Sequence, residues 1–498
     1  MGMVLNTNIP SIQAQRALGE SRKEMEIAME RLSTGSRINS AGDDAAGLAI
    51  VERMNTQIRG LTQATRNAND GIALIKTVEN ALVEVSGMLQ RMRVLAVQAS
   101  NDTNTATERA FADNEVTSLQ NEISRISLNT RYNGAQVLNG SFSAKSLQVG
   151  TEAGETLDFS IGNVEASKLG AYVVDGLTQA AQQGTSTNDS SYSSGVADAD
   201  VKITSSAATR TIDVETTDTA KSLAKKVNAV AASTQVVANA KTYAWLYTPT
   251  ASPSAQARLK FIGPTGTVTE TAAFTFTSND VSDAIQKINA ISSTTGVQAS
   301  STGDNKVLLR DGNGNDIKIV NSSARTDLDV KAVGIDGVTA DSTEVSLAAA
   351  STSSATDTAV IRGNLKLTSN SDFIVEQLTA AEFFSNGTQS APLVDVSSVS
   401  VLTRTKASDA LAIIDGAIET VSSMRGSLGS LQNRLDYTVS NLLKVTEFTT
   451  AARSRIADAD FAAETARLAK AQVLQQAGAS MLSQANASTD TVLQLLRG

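Results

Sequence analysis

"VLQQAGASMLSQANASTDTVLQLL", Val473 to Leu496, holds no aromatic residue and no proline. Leu474, Met481, Ser488 and Leu495 recur in it every seven residues, and Gly478, Ala485 and Val492 form a second such series. Two interleaved series lay a narrow apolar stripe along a helix, and such a stripe needs a helical partner. Candidates lie at the other end of the chain. Leu18, Met25 and Leu32 recur every seven residues, with Met29 between the last two. After a break at "STGSRINSAG" (33–42), Leu61, Ala68, Ile75, Leu82, Leu89 and Ala96 form one seven-residue series without a polar member. "ATERAFADNEVTSLQNEISRISLNT" (106–130) continues with Leu119, Ile123 and Ile126. In the last quarter, Ile414, Val421, Leu428, Leu435 and Leu442 share one series; Ala417, Met424, Leu431, Thr438 and Val445 share the other. No proline interrupts the chain between Pro10 and Pro249 or after Pro392. Heptads occupy both ends and not the middle, so the economical reading packs the two ends against each other.

The break after Leu32 reads as a helix stop and restart. Gly35 and Gly42 permit turns. Ser40 with Asp43 matches a capping box, and Asp43 and Asp44 suit the positive end of the next helix. Adjacent carboxylates on a helix do not face each other, so capping outweighs catalysis here.

Composition narrows the function. A chain of 498 residues suggests about two to four domains. It is 41% hydrophobic but only 4% aromatic, with Trp245 its single tryptophan, so its cores must be aliphatic and alanine-rich. Cysteine is absent, which excludes disulfides, thiolate nucleophiles and cysteine metal sites. Histidine is absent too, which removes the Ser-His-Asp triad and the commonest metal ligand. No catalytic residue, metal site or cofactor is expected. The net charge of −9 argues against nucleic acid as a partner. No run is long enough for a membrane span. The start "MGMVLNTNIPSIQAQ" lacks the basic and apolar segments of a cleavable secretory signal, and Asn6 stands where a myristoylation site has Ser or Thr. The expectation is a protein that is neither membrane-bound nor exported through a cleavable signal.

From about Tyr132 the pattern changes. "YNG" and "LNG" carry Asn-Gly turn signals, and "SLQVG" and "TLDFSI" alternate as strands do. From about Gln179 to Val399 the chain is rich in Ser, Thr, Ala, Gly and Asp, with short strands such as "VKIT", "TIDVET", "FTFT", "KVLLR" and "IKIV". "DTAKSLAKKVNAVAASTQVVA" (218–238) matches "NDVSDAIQKINAISSTTGVQA" (279–299) at an offset of 61 residues. Val227-Asn228-Ala229-Val230 falls on Ile288-Asn289-Ala290-Ile291, and each copy reads as strand, short amphipathic helix, strand. "DGNGND" (311–316) resembles a calcium loop but lacks its sixth-position glycine and distal glutamate. A hairpin turn between "KVLLR" and "IKIV" is the favoured reading. The Ser/Thr-rich middle offers acceptors for O-linked sugars if it forms an outer surface.

Three stretches carry a family resemblance: "LSTGSRINSAGDDAAGLAI" (Leu32–Ile50), "RGSLGSLQNRL" (Arg425–Leu435) and "SRIADADFAAETARLAKAQVLQQAGASMLSQAN" (Ser454–Asn486). They closely resemble the hallmarks of bacterial flagellins, in the same order and over roughly residues 1–172 and 398–498. The repeat also resembles an insertion motif found in the outer region of many flagellins. The resemblance implies a mainly α fold at both chain ends, a long coiled-coil-like bundle with a small β-hairpin region, and a β-rich α+β central insertion. It implies inner core helices at 1–43 and 454–498, a helical rod domain at 44–178 and 400–453, and variable outer domains at 179–399. The implied function is a structural subunit, not an enzyme, that polymerises head-to-tail into the extracellular flagellar filament for motility. Implied partners are the chain itself, an export chaperone at the C-terminal helix, and the hook–filament junction and filament cap proteins. Export would run through the flagellar type III apparatus. Leu18, Met25, Leu32, Leu474, Met481, Val492 and Leu495 are the expected assembly contacts. Thin stripes bury little against the entropy of ordering, so the terminal helices are expected to order on assembly. In related flagellins the window "LQRMRVLAVQ" (89–98) and a downstream glutamate meet the vertebrate innate flagellin receptor; the matching residues are Arg91, Leu95 and Glu115. The family often has an acidic residue where this chain has Val94. The alternatives are a hook–filament junction protein and an adhesive or receptor-binding module in 179–399. A metallopeptidase insertion of the kind some flagellins carry needs an HExxH pair that this chain lacks.

Overall fold

A computed structural model describes residues 7–184, 200–249, 256–350, 355–378 and 381–497, with the backbone alone at 355 and 488–497. Among the described residues the helices are α1 (Ile9–Thr34), α2 (Ala45–Ala99), α3 (Ala106–Asn129), α4 (Ala220–Ala229), α5 (Ala231–Thr234), α6 (Ser282–Ala290), α7 (Ser292–Thr295), α8 (Arg404–Ala457) and α9 (Phe461–Arg497). The helical ends and strand-rich middle agree with the sequence reading.

The chain forms two compact units: Met1–Lys76 with Ala144–Phe159 and Gly429–Gly498, and Thr77–Ser143 with Ser160–Leu428. In the first unit, α1 lies along α9. The start of α2 lies along the end of α8, where Leu61, Ala64 and Leu442 form a small core with Val445 against it. The strands Lys145–Gln148 and Thr156–Phe159 pair as an antiparallel hairpin, foreseen from "SLQVG" and "TLDFSI". Asn67 ties that hairpin to α2 by donating from Nδ2 to the Gln148 carbonyl at 3.0 Å. Leu147 sits over Gly71, where an added Cβ would approach it to 2.6 Å.

Every member of the series Leu61, Ala68, Ile75, Leu82, Leu89 and Ala96 is buried, as are Ile414, Val421, Leu428, Leu435 and Leu442. The heptad periods were therefore read correctly. A second series along α2 (Ala64, Gly71, Val78, Val85, Met92 and Ala99) is also buried. Its alanines and glycine signal a core only weakly in the sequence.

In the second unit, α3 presents Ala112, Val116, Gln120, Ile123 and Ser127 to the interior. Gln120 donates from Nε2 to the Val396 and Val399 carbonyls at 2.8 Å each. The "YNG" signal forms a two-residue hairpin, with Asn133 and Gly134 at φ 48° and 82°. The insertion carries two cores, and neither is purely aliphatic as the composition suggested: one buries Phe261, Phe274 and Phe276, the other Phe373, Phe383 and Phe384. Strand Val236–Tyr247 serves both, through Ala238 and Ala240 at one end and Ala244 and Leu246 at the other. It pairs antiparallel with Asn364–Ser369, Val307–Asp311 and Leu328–Val333.

The repeat is visible in the structure. Helix α4 covers one core and α6 the other. Asn228 donates to the Ala238 carbonyl at 2.9 Å and accepts from its N–H at 2.8 Å; Asn289 does the same to Ala299 at 2.8 and 2.7 Å. The turn residues also coincide, with Gln235 at φ 58° and Gly296 at φ 77°. "TIDVET" is a strand only as far as Ile212.

Two local readings need correction. "DGNGND" is not a hairpin turn: Val307–Asp311 and Ile317–Asn321 belong to different sheets, and the segment carries the chain between them. Asp311 organises it, bonding Asn313 N–H and Asn315 Nδ2. Ser40 does not cap α2 either. Asp43 does bond the Ser40 N–H and hydroxyl, but within a turn that precedes the helix. The cap is Asp44, which accepts from Gly47 N–H at 2.8 Å.

Candidate assembly interface

The α1–α9 pair is built on a seam that alternates small and large residues. Its α1 side runs through Ser11, Ala14, Leu18, Ser21, Met25 and Ala28, all buried or half-buried. The α9 side runs through Glu464, Leu468, Ala471, Gln475, Gly478, Leu482 and Ala485. Spacings of three and four keep both rows facing each other along a heptad seam. Gly478 lies beneath Leu18, where an added Cβ would stand 3.1 Å from Leu18 Cγ.

Polar groups fix the register at each end. Asn8 caps α1 by accepting from Ser11 N–H, and its Nδ2 donates to the Ala485 carbonyl at 3.0 Å. Ser11 Oγ bonds Asn486 Oδ1 at 3.0 Å. At the far end, Arg31 Nη1 meets Glu464 Oε1 at 3.1 Å, and Arg467 shares that oxygen. Glu464 is 4% exposed, so this pair holds a charge inside the seam.

Next to it, the two helix breaks meet. Gly35 ends α1 in the left-handed region, φ 71°, with its N–H on the Arg31 carbonyl. Ala459 N–H then bonds the Gly35 carbonyl at 2.9 Å, Arg37 N–H bonds the Ala457 carbonyl at 2.6 Å, and Ser36 bridges Asp458. The "STGSRINSAG" break after α1 thus sits beside the "ADAD" break before α9.

The sequence-derived contact residues divide between two faces. Leu18, Met25 and Leu32 lie half-buried on the α1 side. Leu474 and Met481 lie off the seam, 43% and 64% exposed. Val492 and Leu495 have side chains outside the described residues. Ile9, Ile12 and Met29 on α1 and Val473 on α9 are also exposed. The α9 seam therefore uses the Gly478/Ala485 series, and the Leu474/Met481 series is left facing outward. Sequence periodicity alone weighted the two series equally. Arg31, Glu464 and the paired breaks were missed as contacts, because their partners are hundreds of residues apart and share no pattern.

In the second unit, Arg91 and Glu115 come together across α2 and α3 in a bidentate pair of 2.6 and 3.1 Å. Glu115 raises the Arg91 guanidinium above its ordinary value, through its hydrogen bonds first and its charge second. Leu95 is 3% exposed and faces the helical interior, so the surface beside this pair is formed by Val94. Among the described residues no cluster of three carboxylates suited to a metal ion is found, and no helix is long and apolar enough to cross a membrane.

Comparison with known proteins decides the family. Residues 5–143 match the bacterial flagellin N-terminal helical region, and residues 411–496 match the bacterial flagellin C-terminal helical region. The chain is 37% identical over 502 residues to the B-type flagellin of Pseudomonas aeruginosa, covering all of both chains. The chain belongs to the bacterial flagellin family. Flagellin B of Vibrio cholerae is 32% identical over 496 residues and the flagellin of Salmonella rubislaw 32% over 515, again over both whole chains. Among solved structures, FliC from Burkholderia pseudomallei aligns with 73% of this chain and 99% of its own, at 19% identity and a TM-score of 0.30. This flagellin is thus a structural subunit of the flagellar filament, and the junction-protein alternative has no better support.

Proposed function

We propose that this flagellin assembles head-to-tail through the outward faces of α1 and α9. The observation that carries this is the division of α9: its small residues are spent inside the chain, while Leu474 and Met481 face outward with Ile9, Ile12 and Met29 of α1. Apolar side chains gathered along paired helices mark an interaction surface. A heterologous contact that does not close repeats into a helical filament. The pair alone covers little large apolar area, so its helices order fully when neighbouring subunits cover the remaining faces.

The remaining assignments follow from this reading. Residues 1–43 and 454–498 form the inner core, 44–178 and 400–453 the rod, and 179–399 the outer surface. A chaperone shields the outward stripe of α9 until the chain is exported. Arg91 and Glu115 present a charged contact surface, for a neighbouring subunit in the filament and for the innate receptor. Seeded polymerisation of purified monomer, viewed by negative-stain electron microscopy, tests the central claim. The full chain is expected to give long filaments and a chain truncated before Ser454 none. A full chain that stays monomeric with its termini already ordered would overturn coupled folding.

A further inference from the structure

We propose that the second unit holds a binding site for a small tetrahedral oxyanion of the phosphate or sulfate class, in a cavity of about 250 Å³ walled by Arg109, Arg310 and Arg404. One carboxylate, Asp102, also lines it. Three guanidinium groups against one carboxylate leave a local positive excess in a chain whose net charge is −9.

Two arginines are anchored by bonds that leave donors over. Arg109 donates from Nε to the Ala99 carbonyl at 2.8 Å and from Nη2 to the Asn101 carbonyl at 3.0 Å. Arg404 Nη1 pairs with Asp102 at 2.8 Å. A guanidinium has five N–H donors, so each keeps part of its fork free. Arg310 is different. It sits on strand Val307–Asp311 opposite Tyr243, which is 2% exposed, and no carboxylate among the described residues pairs with it. Its Nε is buried without a hydrogen-bond partner. A buried donor left unmade costs about 1–3 kcal/mol. The cations also press on one another: burial, and then the Arg310 charge, hold the Arg404 guanidinium below its ordinary value. Arg404 opens α8, so the positive end of a 54-residue helix adds to the same field. Guanidinium forks lining one cavity suit an oxyanion, whose oxygens can accept paired N–H donors. A bound anion would balance the Arg310 charge and relieve the repulsion together.

Isothermal titration calorimetry on the full-length monomer tests the site, with sodium phosphate, sodium sulfate and sodium citrate titrated at constant ionic strength in chloride. Emission of Trp245, two residues from Tyr243 on the same strand, is an independent readout. Phosphate and sulfate are expected to bind saturably with one site per chain and to shift that emission. Arg310→Gln is expected to weaken binding about tenfold or more, the loss of roughly one charge-assisted bond. Arg66→Gln, on an exposed helix face of the other unit, is the control and should leave binding unchanged. If Arg310→Gln alters the far-ultraviolet spectrum, Arg404→Lys, which keeps the charge but loses the fork, replaces it with the same expectation. No saturable phosphate or sulfate binding overturns the proposal; so does binding of citrate alone, or an equal loss in Arg66→Gln.

Discussion

Asp43 and Asp44 stand side by side and do different work. Asp44 caps α2, and Gly47 leaves room for it: a Cβ added at Gly47 would come within 2.7 Å of Ile38 Cδ1 and crowd the Asp44 carboxylate. Gly47→Ala is expected to cost about 1 kcal/mol through the cap alone, seen as a lower thermal midpoint. Hydrogen bonds from the Ser40 N–H, then from its hydroxyl, hold the Asp43 carboxyl below its ordinary range. Its folded value is thus lower than its unfolded value, near about 3.9. The turn's contribution is complete above that unfolded value and is lost as pH falls through the folded one. A carboxyl titration by NMR should show Asp43 titrating low, and moving back up in Ser40→Ala. Arg31 and Glu464 follow the rule for buried pairs, in which removing one partner strands the other. Glu464→Ala should weaken the α1–α9 pair by about 3–5 kcal/mol, while the double change with Arg31→Met recovers most of the loss. A urea titration of assembled filaments followed by circular dichroism would measure both. Sequence marked residues 40–44 as a helix start because the bonds there are local, but it named Ser40 where Asp44 is the cap. The Arg31–Glu464 pair was not, because nothing near either residue names the other.

At the scale of elements, one asparagine does the same job in each copy of the 61-residue repeat. Asn228 and Asn289 each offer an amide to the free edge of the strand that follows, standing in for a missing neighbouring strand. Replacing either by alanine leaves a backbone donor and acceptor unpaired, at roughly 1–3 kcal/mol for each buried group. The two substitutions should lower thermal stability by similar amounts, and unequal losses would argue against equivalent roles. The repeat was readable because the clamp is local in both copies. The sheet order was not: "DGNGND" looks like a hairpin turn, yet its flanking strands join different sheets. On α9 the two heptad series have different duties. Gly478→Val should disrupt the intrachain pair through Leu18, already 3.1 Å from an added Cβ. Met481→Gln should leave the monomer's helicity unchanged and slow seeded polymerisation. If Met481→Gln polymerises normally, the outward face is not the contact.

For the whole molecule, burial is uneven. The middle of α2 carries two buried series, whereas the seam between α1 and α9 is thin and mostly half-buried, with Ile9, Ile12, Met29, Leu474 and Met481 left outside. Hydrogen exchange should therefore find residues 61–96 protected in monomer and filament alike, and α1 and α9 protected only in the filament. Protection of α1 and α9 in the monomer would remove the case for ordering on assembly. By itself the sequence determined the helical ends, their heptad seams, the strand-rich insertion, the repeat and the family. These rest on periodicity and on motifs of a few dozen residues, which a linear reading detects. Only the tertiary structure decided which α9 stripe faces α1, where Arg31, Glu464 and the paired breaks meet, that Leu95 faces inward, and that three arginines from distant segments wall one cavity. Each of these depends on contacts between residues far apart in the chain, and close packing selects them by size and charge in a way that leaves no period to read.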